Sequence, residues 1–186
     1  GKVQNQKFTG KCWIYAGLNL LRILANRKNS RTSIILSANY IAYYDKYEKS
    51  KYFFEKVIET MKLPSDNRLV EHLFKNPCPD AGQWAMFNNI IKKYGIVPQE
   101  SMPDTYSALD TNQMNICLST ILRDSGCNIR KLNMKGASLE QINSEVETKM
   151  DEIRRILSLS LGEPPTEFQY GKMEKNTHPF RIINQR

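Results

Sequence analysis

Residues 5–22, "NQKFTGKCWIYAGLNLLR", decide how the chain is read. A loop carrying Gln6 and Gly10 runs into Cys12, and from there apolar residues recur at helical spacing. Trp13, Ala16, Leu20 and Leu24 fall on one side of a helix predicted over 12–27, with Arg22 and Arg27 off it. A helix start offers unpaired N–H groups and the positive end of the dipole, which favours a thiolate over a thiol. The thiolate attacks carbonyls, and the oxyanion so formed needs donors already in place. The Cys12 N–H is one such donor and the Gln6 side-chain amide a candidate second. Lys11 adds positive charge, and Gly10 lets the backbone turn tightly into the helix. Taken alone, a cysteine at a helix start reads first as a small core residue. The Gln-x5-Cys-Trp spacing, with glycine two residues before the cysteine, favours the nucleophile.

Outward from this stretch the chain reads as mainly helical. Tyr40, Ile41, Tyr44, Tyr47, Phe54, Val57, Ile58 and Met61 predict a helix over 38–62, stopped before Pro64. A short helix follows Asp66, its predicted N-cap, through Phe74. "NPCPDAGQW" (76–84) breaks the pattern with two prolines and a glycine. Trp84, Phe87, Ile90 and Ile91 predict a helix over 83–94, ended by Gly95 and Pro98. Met114, Leu118, Ile121 and Leu122 predict another over 110–125, closed by Gly126. The last helix begins at a Ser138/Gln141 capping box, carries Leu139, Ile142, Val146, Ile153 and Leu157, and stops at Gly162. Short strands are predicted at 168–170 and 180–183.

Composition narrows the function. Of 186 residues, 40% are apolar, which supports a packed core. No apolar run reaches the ~18 residues of a membrane span. No signal-peptide pattern begins at Gly1, although the chain starts so close to its main motif that it reads as trimmed. The four cysteines form no CxxC pair and there are only two histidines, which argues against a zinc site. No metal or cofactor is expected, and the thiols read as reduced and cytoplasmic. The net charge of +8 is lopsided: residues 1–62 hold 12 Lys/Arg against 4 Asp/Glu, and the remainder 15 of each. Such a face reads as solvated surface or as a weak nucleic-acid contact.

The stretch "QNQKFTGKCWIYAGLNLLR" (4–22) resembles the nucleophile region of papain-like cysteine peptidases, and more narrowly the bleomycin hydrolase / aminopeptidase C branch. Three longer blocks resemble that branch in the same order: "LSANYIAYYDKYEK" (36–49), "DAGQWAMFNNIIKKYGIVPQESMPDTYS" (80–107) and "EIRRILSLSLGEPPTEF" (152–168). The resemblance implies an α+β papain-like fold, here mainly α. It divides the chain into a helical nucleophile-bearing half (1–109), a helical insertion (110–166) and the start of the β-rich half (167–186). It also implies Cys12 as nucleophile, Gln6 as oxyanion-hole donor, and Trp13 packed behind the nucleophile. Asp80, Gly82 and Gln83 would line the substrate cleft, with Gly82 along the substrate backbone. Ala81 departs from a family glycine and would be strained if that position needed a positive φ. Secreted relatives tie the loop before the nucleophile to the glycine-pair loop by a disulfide; Thr9 stands at one partner's position here, leaving Cys78 unpaired.

A papain-like site also needs an imidazole base and an asparagine to orient it. His72 falls in a helix to which the resemblance assigns no role, and His178, in "KNTHPFRIINQR", lacks the family's setting. The catalytic His and Asn are therefore expected outside this chain, which reads as a fragment that is poorly active alone and prone to self-association through its unpaired flank. The implied activity is that of a cysteine-type aminopeptidase, a thiol protease acting on peptides with a free N-terminus and assembled as a homo-hexamer. The competing readings are a non-catalytic basic module that binds nucleic acid or acts as a scaffold, and a pseudoenzyme or split enzyme completed by another chain.

Overall fold

Apolar residues repeating every three to four positions need a common surface to bury against, and the second helix supplies it. The computed structural model describes residues 5–28 and 35–168, with no side chain of the first helix beyond Leu24. The helices are α1 (Cys12–Lys28), α2 (Ala38–Thr60), α3 (Arg68–Lys75), α4 (Trp84–Tyr94), α5 (Asn112–Met134) and α6 (Leu139–Leu161), with a 3-10 turn at Ser107–Leu109. Each of the other five helices packs on α2. On one side Ile14 and Leu18 of α1 meet Phe87 and Ile90 of α4. On the other, Leu118, Leu122 and Ile129 of α5 meet Ile142, Ile153 and Leu157 of α6, all within one core.

Caps set where the elements begin. Ser37 Oγ accepts from the Tyr40 N–H at 3.1 Å and donates to the Met102 carbonyl at 2.7 Å, so one hydroxyl starts α2 and ties down the 97–103 loop. The Ser138/Gln141 capping box opens α6, and Gly162, at φ 88°, ends it. Among the described residues there is no strand, only isolated bridges joining Phe8 to Asp110 and Leu36 to Pro98. The chain is thus mainly helical, as its periodicity predicts. Phe168 is not in a strand, and 169–170 and 180–183 lie outside the described residues.

Four expectations need correction. First, the buried side of α1 is Ile14, Gly17 and Leu18, whereas Ala16 is exposed and Leu20, Ile23 and Leu24 are 45%, 51% and 49% exposed. The predicted face of Ala16, Leu20 and Leu24 is the wrong one: α1 is apolar on a second side as well, and it is that side, with Ile14 and Leu18, that the core takes. Second, α3 is capped by Asn67 rather than Asp66, because it is the Asn67 carboxamide that accepts the Leu69 N–H at 3.0 Å. Third, α5 runs through Gly126 to Met134. Gly126 is there for space: a Cβ on it would lie 2.8 Å from Phe74 Cζ and 3.0 Å from Phe53 Cζ. Fourth, Leu139 is exposed and Met150 and Leu161 complete the buried stripe of α6.

The α5 geometry makes a test. Gly126→Val adds three carbons against two buried rings, and overpacking of this kind costs about 1–3 kcal/mol. Thermal unfolding should show the melting point falling by ~2–4 °C per kcal/mol for a chain this long. A rise in melting point, as helix propensity alone would give, would contradict the packing described.

Candidate active site

The loop ahead of α1 is fixed before the helix begins. Lys7 adopts φ 54°, the one positive φ of a non-glycine among the described residues, and its N–H donates to Asn5 Oδ1 at 2.8 Å. Thr9 Oγ1 donates to the Gln6 carbonyl at 2.6 Å. The Phe8 N–H donates to the Leu109 carbonyl at 3.1 Å, and the Phe8 carbonyl accepts the Thr111 N–H at 3.4 Å. Gln6 is half-buried within this loop. Gly10 does not use a positive φ; a Cβ there would lie 2.3 Å from the Asp80 Cβ, so close approach demands the glycine.

Lys11 turns inward. Its ammonium is buried and donates to the Ala108 carbonyl at 2.9 Å and to Asn39 Oδ1 at 3.4 Å. Burial lowers its pKa, opposed by the charges of Asp104 and Asp80. Cys12 follows as the first residue of α1, exposed, where the leading N–H groups of a helix have no intrahelical acceptor.

Trp13 joins the two sides of the site. Its Nε1–H donates to the Asp80 carbonyl at 3.0 Å, and its ring meets Phe87 edge-on at 6.4 Å. Gly82 lies flat on the indole, with room for nothing larger: a Cβ would stand 2.3 Å from Trp13 Cε2. Gly82 is therefore brought against Trp13, the residue that follows Cys12 in the chain. Ala81 is not at positive φ and carries no strain of the kind the glycine departure raised. Gln83 is exposed and precedes α4, its carbonyl accepting the Phe87 N–H at 3.1 Å.

The Asp80 side chain lies against Gly10 and turns its carboxylate to α2 and α5. Its carboxylate pairs with Lys46 at 2.7 Å and accepts from Asn115 Nδ2 at 3.1 and 2.9 Å. Lys46 and Lys49 are buried, and both bond to carbonyls of the 78–81 segment. Asp45, beneath them, pairs with Lys49 at 2.7 Å; burial pushes its carboxyl above the usual range even though Lys49 pulls it down. Three of the twelve cations in residues 1–62, Lys11, Lys46 and Lys49, thus face the protein interior. Sequence reasoning missed Asp45, Lys46, Lys49 and Asn115 as parts of the site. The Asp45/Lys49 spacing of four was visible, but on a helix it reads as a surface pair.

Cys78 is buried and free; its thiol donates to the Lys46 carbonyl at 3.8 Å, and burial pushes the thiol up. His72 is exposed in the last turn of α3, while His178 lies outside the described residues. A cavity of about 700 Å³ bordered by Tyr43, Tyr47, Lys51, Tyr94 and Arg154 shares no residue with Cys12, Trp13 or Gly82, so size alone does not mark the chemistry.

The chain is similar to known proteins over nearly its whole length. The Peptidase C1-like family matches residues 1–185. Aminopeptidase C of Lactobacillus helveticus is 37% identical over 182 residues, covering 98% of this chain and 40% of that protein. Bleomycin hydrolase of Gallus gallus is 36% identical over 182 residues, covering 96% and 40%. The crystal structure of PepW from Lactobacillus rhamnosis HN001 superimposes with a TM-score of 0.89 at 40% identity, covering 98% of this chain and 42% of PepW. The chain spans about 40% of the length of the curated relatives it matches.

Gly82→Ala tests the contact between loop and indole. With no backbone strain involved, the methyl group still has to displace Trp13, at a cost of about 1–3 kcal/mol. The melting point should fall and the tryptophan emission should shift. If both stay as in the unsubstituted chain, Gly82 is not seated on the ring.

Proposed function

Because the chain belongs to the Peptidase C1-like family, and its described residues form the helical part of a papain-like fold, we propose that it carries the nucleophile of a cysteine-type aminopeptidase. One observation carries the reading: an exposed cysteine heads a helix while Gly82 lies on the ring of the next residue, Trp13. The Cys12 thiolate attacks the scissile carbonyl carbon, and the resulting oxyanion is held by the Cys12 N–H and the Gln6 carboxamide. The amine leaves with a proton from the general acid, giving a thioester at Cys12 that water then hydrolyses. The substrate backbone runs along Gly82, with Gln83 at the same edge. Trp13 supports the nucleophile from behind, and Asp80 holds the cleft loop from beneath.

The imidazole and the amide that orients it come, in this reading, from outside the described residues: His72 is exposed on α3, away from the contacts that gather the site. Peptides with a free N-terminus as substrates are supported by the likeness to a protein named aminopeptidase C; a homo-hexamer and a cytoplasmic setting are part of the same proposal. Among the described residues no helix is long and apolar enough to cross a membrane.

The exposed cysteines Cys117 and Cys127 supply internal controls. In a protein that also supplies the imidazole, a dipeptidyl fluoromethyl ketone with a free amine should label Cys12 at least about tenfold faster than either, since only a cleft positions the reacting atoms. Peptide mass spectrometry reads all three sites in one sample, and equal labelling would sink the peptidase reading. In peptide hydrolysis by a protein that also supplies the imidazole, Gln6→Ala should lower kcat about 10²-fold or more with little change in KM, as loss of one oxyanion donor does. A change confined to KM would remove Gln6 from that role.

A further inference from the structure

The segment that carries Gly82, residues 77–83, is held by neither a strand nor a disulfide: it makes no bridge, and Cys78 is free. Its carbonyls are held by two ammonium groups reaching up from α2. Lys46 donates to the Cys78 carbonyl at 3.1 Å and pairs with the Asp80 carboxylate at 2.7 Å. Lys49 donates to the Pro79 carbonyl at 2.7 Å, the Ala81 carbonyl at 2.8 Å and Asp45 Oδ2 at 2.7 Å. An ammonium has three protons, and all three of those on Lys49 are placed. Lys46 and Lys49 are only 4% and 8% exposed, so water does not offer a substitute for these acceptors.

The Lys49 ammonium also lies 5.6 Å from the centre of the Trp13 ring, within reach of a cation–π attraction. A single charge therefore touches both the carbonyl of the peptide that enters Gly82 and the indole on which Gly82 rests. Freed from Lys49, the 81–82 peptide loses the donor placed on its carbonyl, and the segment is held near the ring only through the Trp13–Asp80 bond and Lys46.

We infer that Lys49, assisted by Lys46, is a positioning residue that holds the Gly82 edge against Trp13 in the orientation a substrate backbone meets. The inference rests on the proposed placement of substrate along Gly82. Lys49 bonds to the cleft loop and makes no bond to Cys12, so its effect falls on recognition of a peptide and spares the reactivity of the thiol.

Two labels applied to a protein that also supplies the imidazole separate those effects: iodoacetamide, which needs only the thiol, and the dipeptidyl fluoromethyl ketone, which also needs the cleft. Lys49→Met is made together with Asp45→Asn so that no buried carboxylate is left unpaired. The Cys12 rate with the peptide label should fall about tenfold or more, as misplacement of a binding edge does, while the iodoacetamide rate changes less than about twofold. Lys49→Arg keeps a charge for Asp45 but replaces three rotatable donors by a planar fork; it should show the same split to a smaller degree, and it carries the test if the double variant does not fold. An unchanged peptide-label rate, or a parallel fall with both labels, would overturn the inference and leave Lys49 a structural support. Failure of the unsubstituted chain to favour Cys12 with the peptide label would instead overturn the peptidase reading, and this inference with it.

Discussion

An ammonium group taken out of water has to give each of its protons to an acceptor, and for Lys46 and Lys49 the acceptors are the Asp80 and Asp45 carboxylates and backbone carbonyls that no helix or strand employs. Lys46 and Lys49 stand on one face of α2, the helix that every other helix packs against, and their partners are the carbonyls of residues 78, 79 and 81. The central helix of the described residues thereby sets the position of a segment with no regular structure. Trp13 is fixed from the same segment through the Asp80 carbonyl, and Cys12 is its neighbour in the chain. The candidate site is thus referred back to α2 by a short series of bonds, each with a satisfied donor.

Close approach is the second constraint. Gly10 against Asp80, Gly17 against Phe87 and Gly82 against Trp13 all lie where a single added carbon would overlap a neighbour. None of the three uses a positive φ. The space they leave is what allows the loop before Cys12, the helix after it and the 77–83 segment to converge. Lys11 closes the arrangement from below: its buried ammonium bonds to the Ala108 carbonyl, while Phe8 pairs with the backbone on either side of Asp110. The turn before α5 is in this way coupled to the nucleophile loop.

Much of this was legible from residues alone. The periodicity of Phe54, Val57, Leu118, Ile142 and Ile153 located the helices, and Ser138/Gln141 located a helix start to the residue, because a capping box is a local event completed within four positions. Gly126 was misread as a stop, since glycine in a sequence announces either flexibility or a need for space, and only the neighbouring Phe53 and Phe74 decide between them. On α1 the opposite faces are each apolar enough to be buried. The choice of Ile14 and Leu18 over Leu20 and Leu24 depended on where Phe87 and α2 lie.

By itself the sequence determined a helical chain with a cysteine at a helix start, a glutamine six residues before it and a glycine-bearing loop downstream, because these follow from local spacing and from long ordered blocks of resemblance. Only the tertiary structure decided that Gly82 rests on Trp13, that the Asp80 carboxylate turns to Lys46 and Asn115, and that lysines which read as solvated serve buried carbonyls. The physical reason is that burial and hydrogen bonding join groups some thirty residues or more apart, such as Lys49 with Pro79 and Ala81. Along the chain each of these is only a cation or a carbonyl, and folding alone makes them partners.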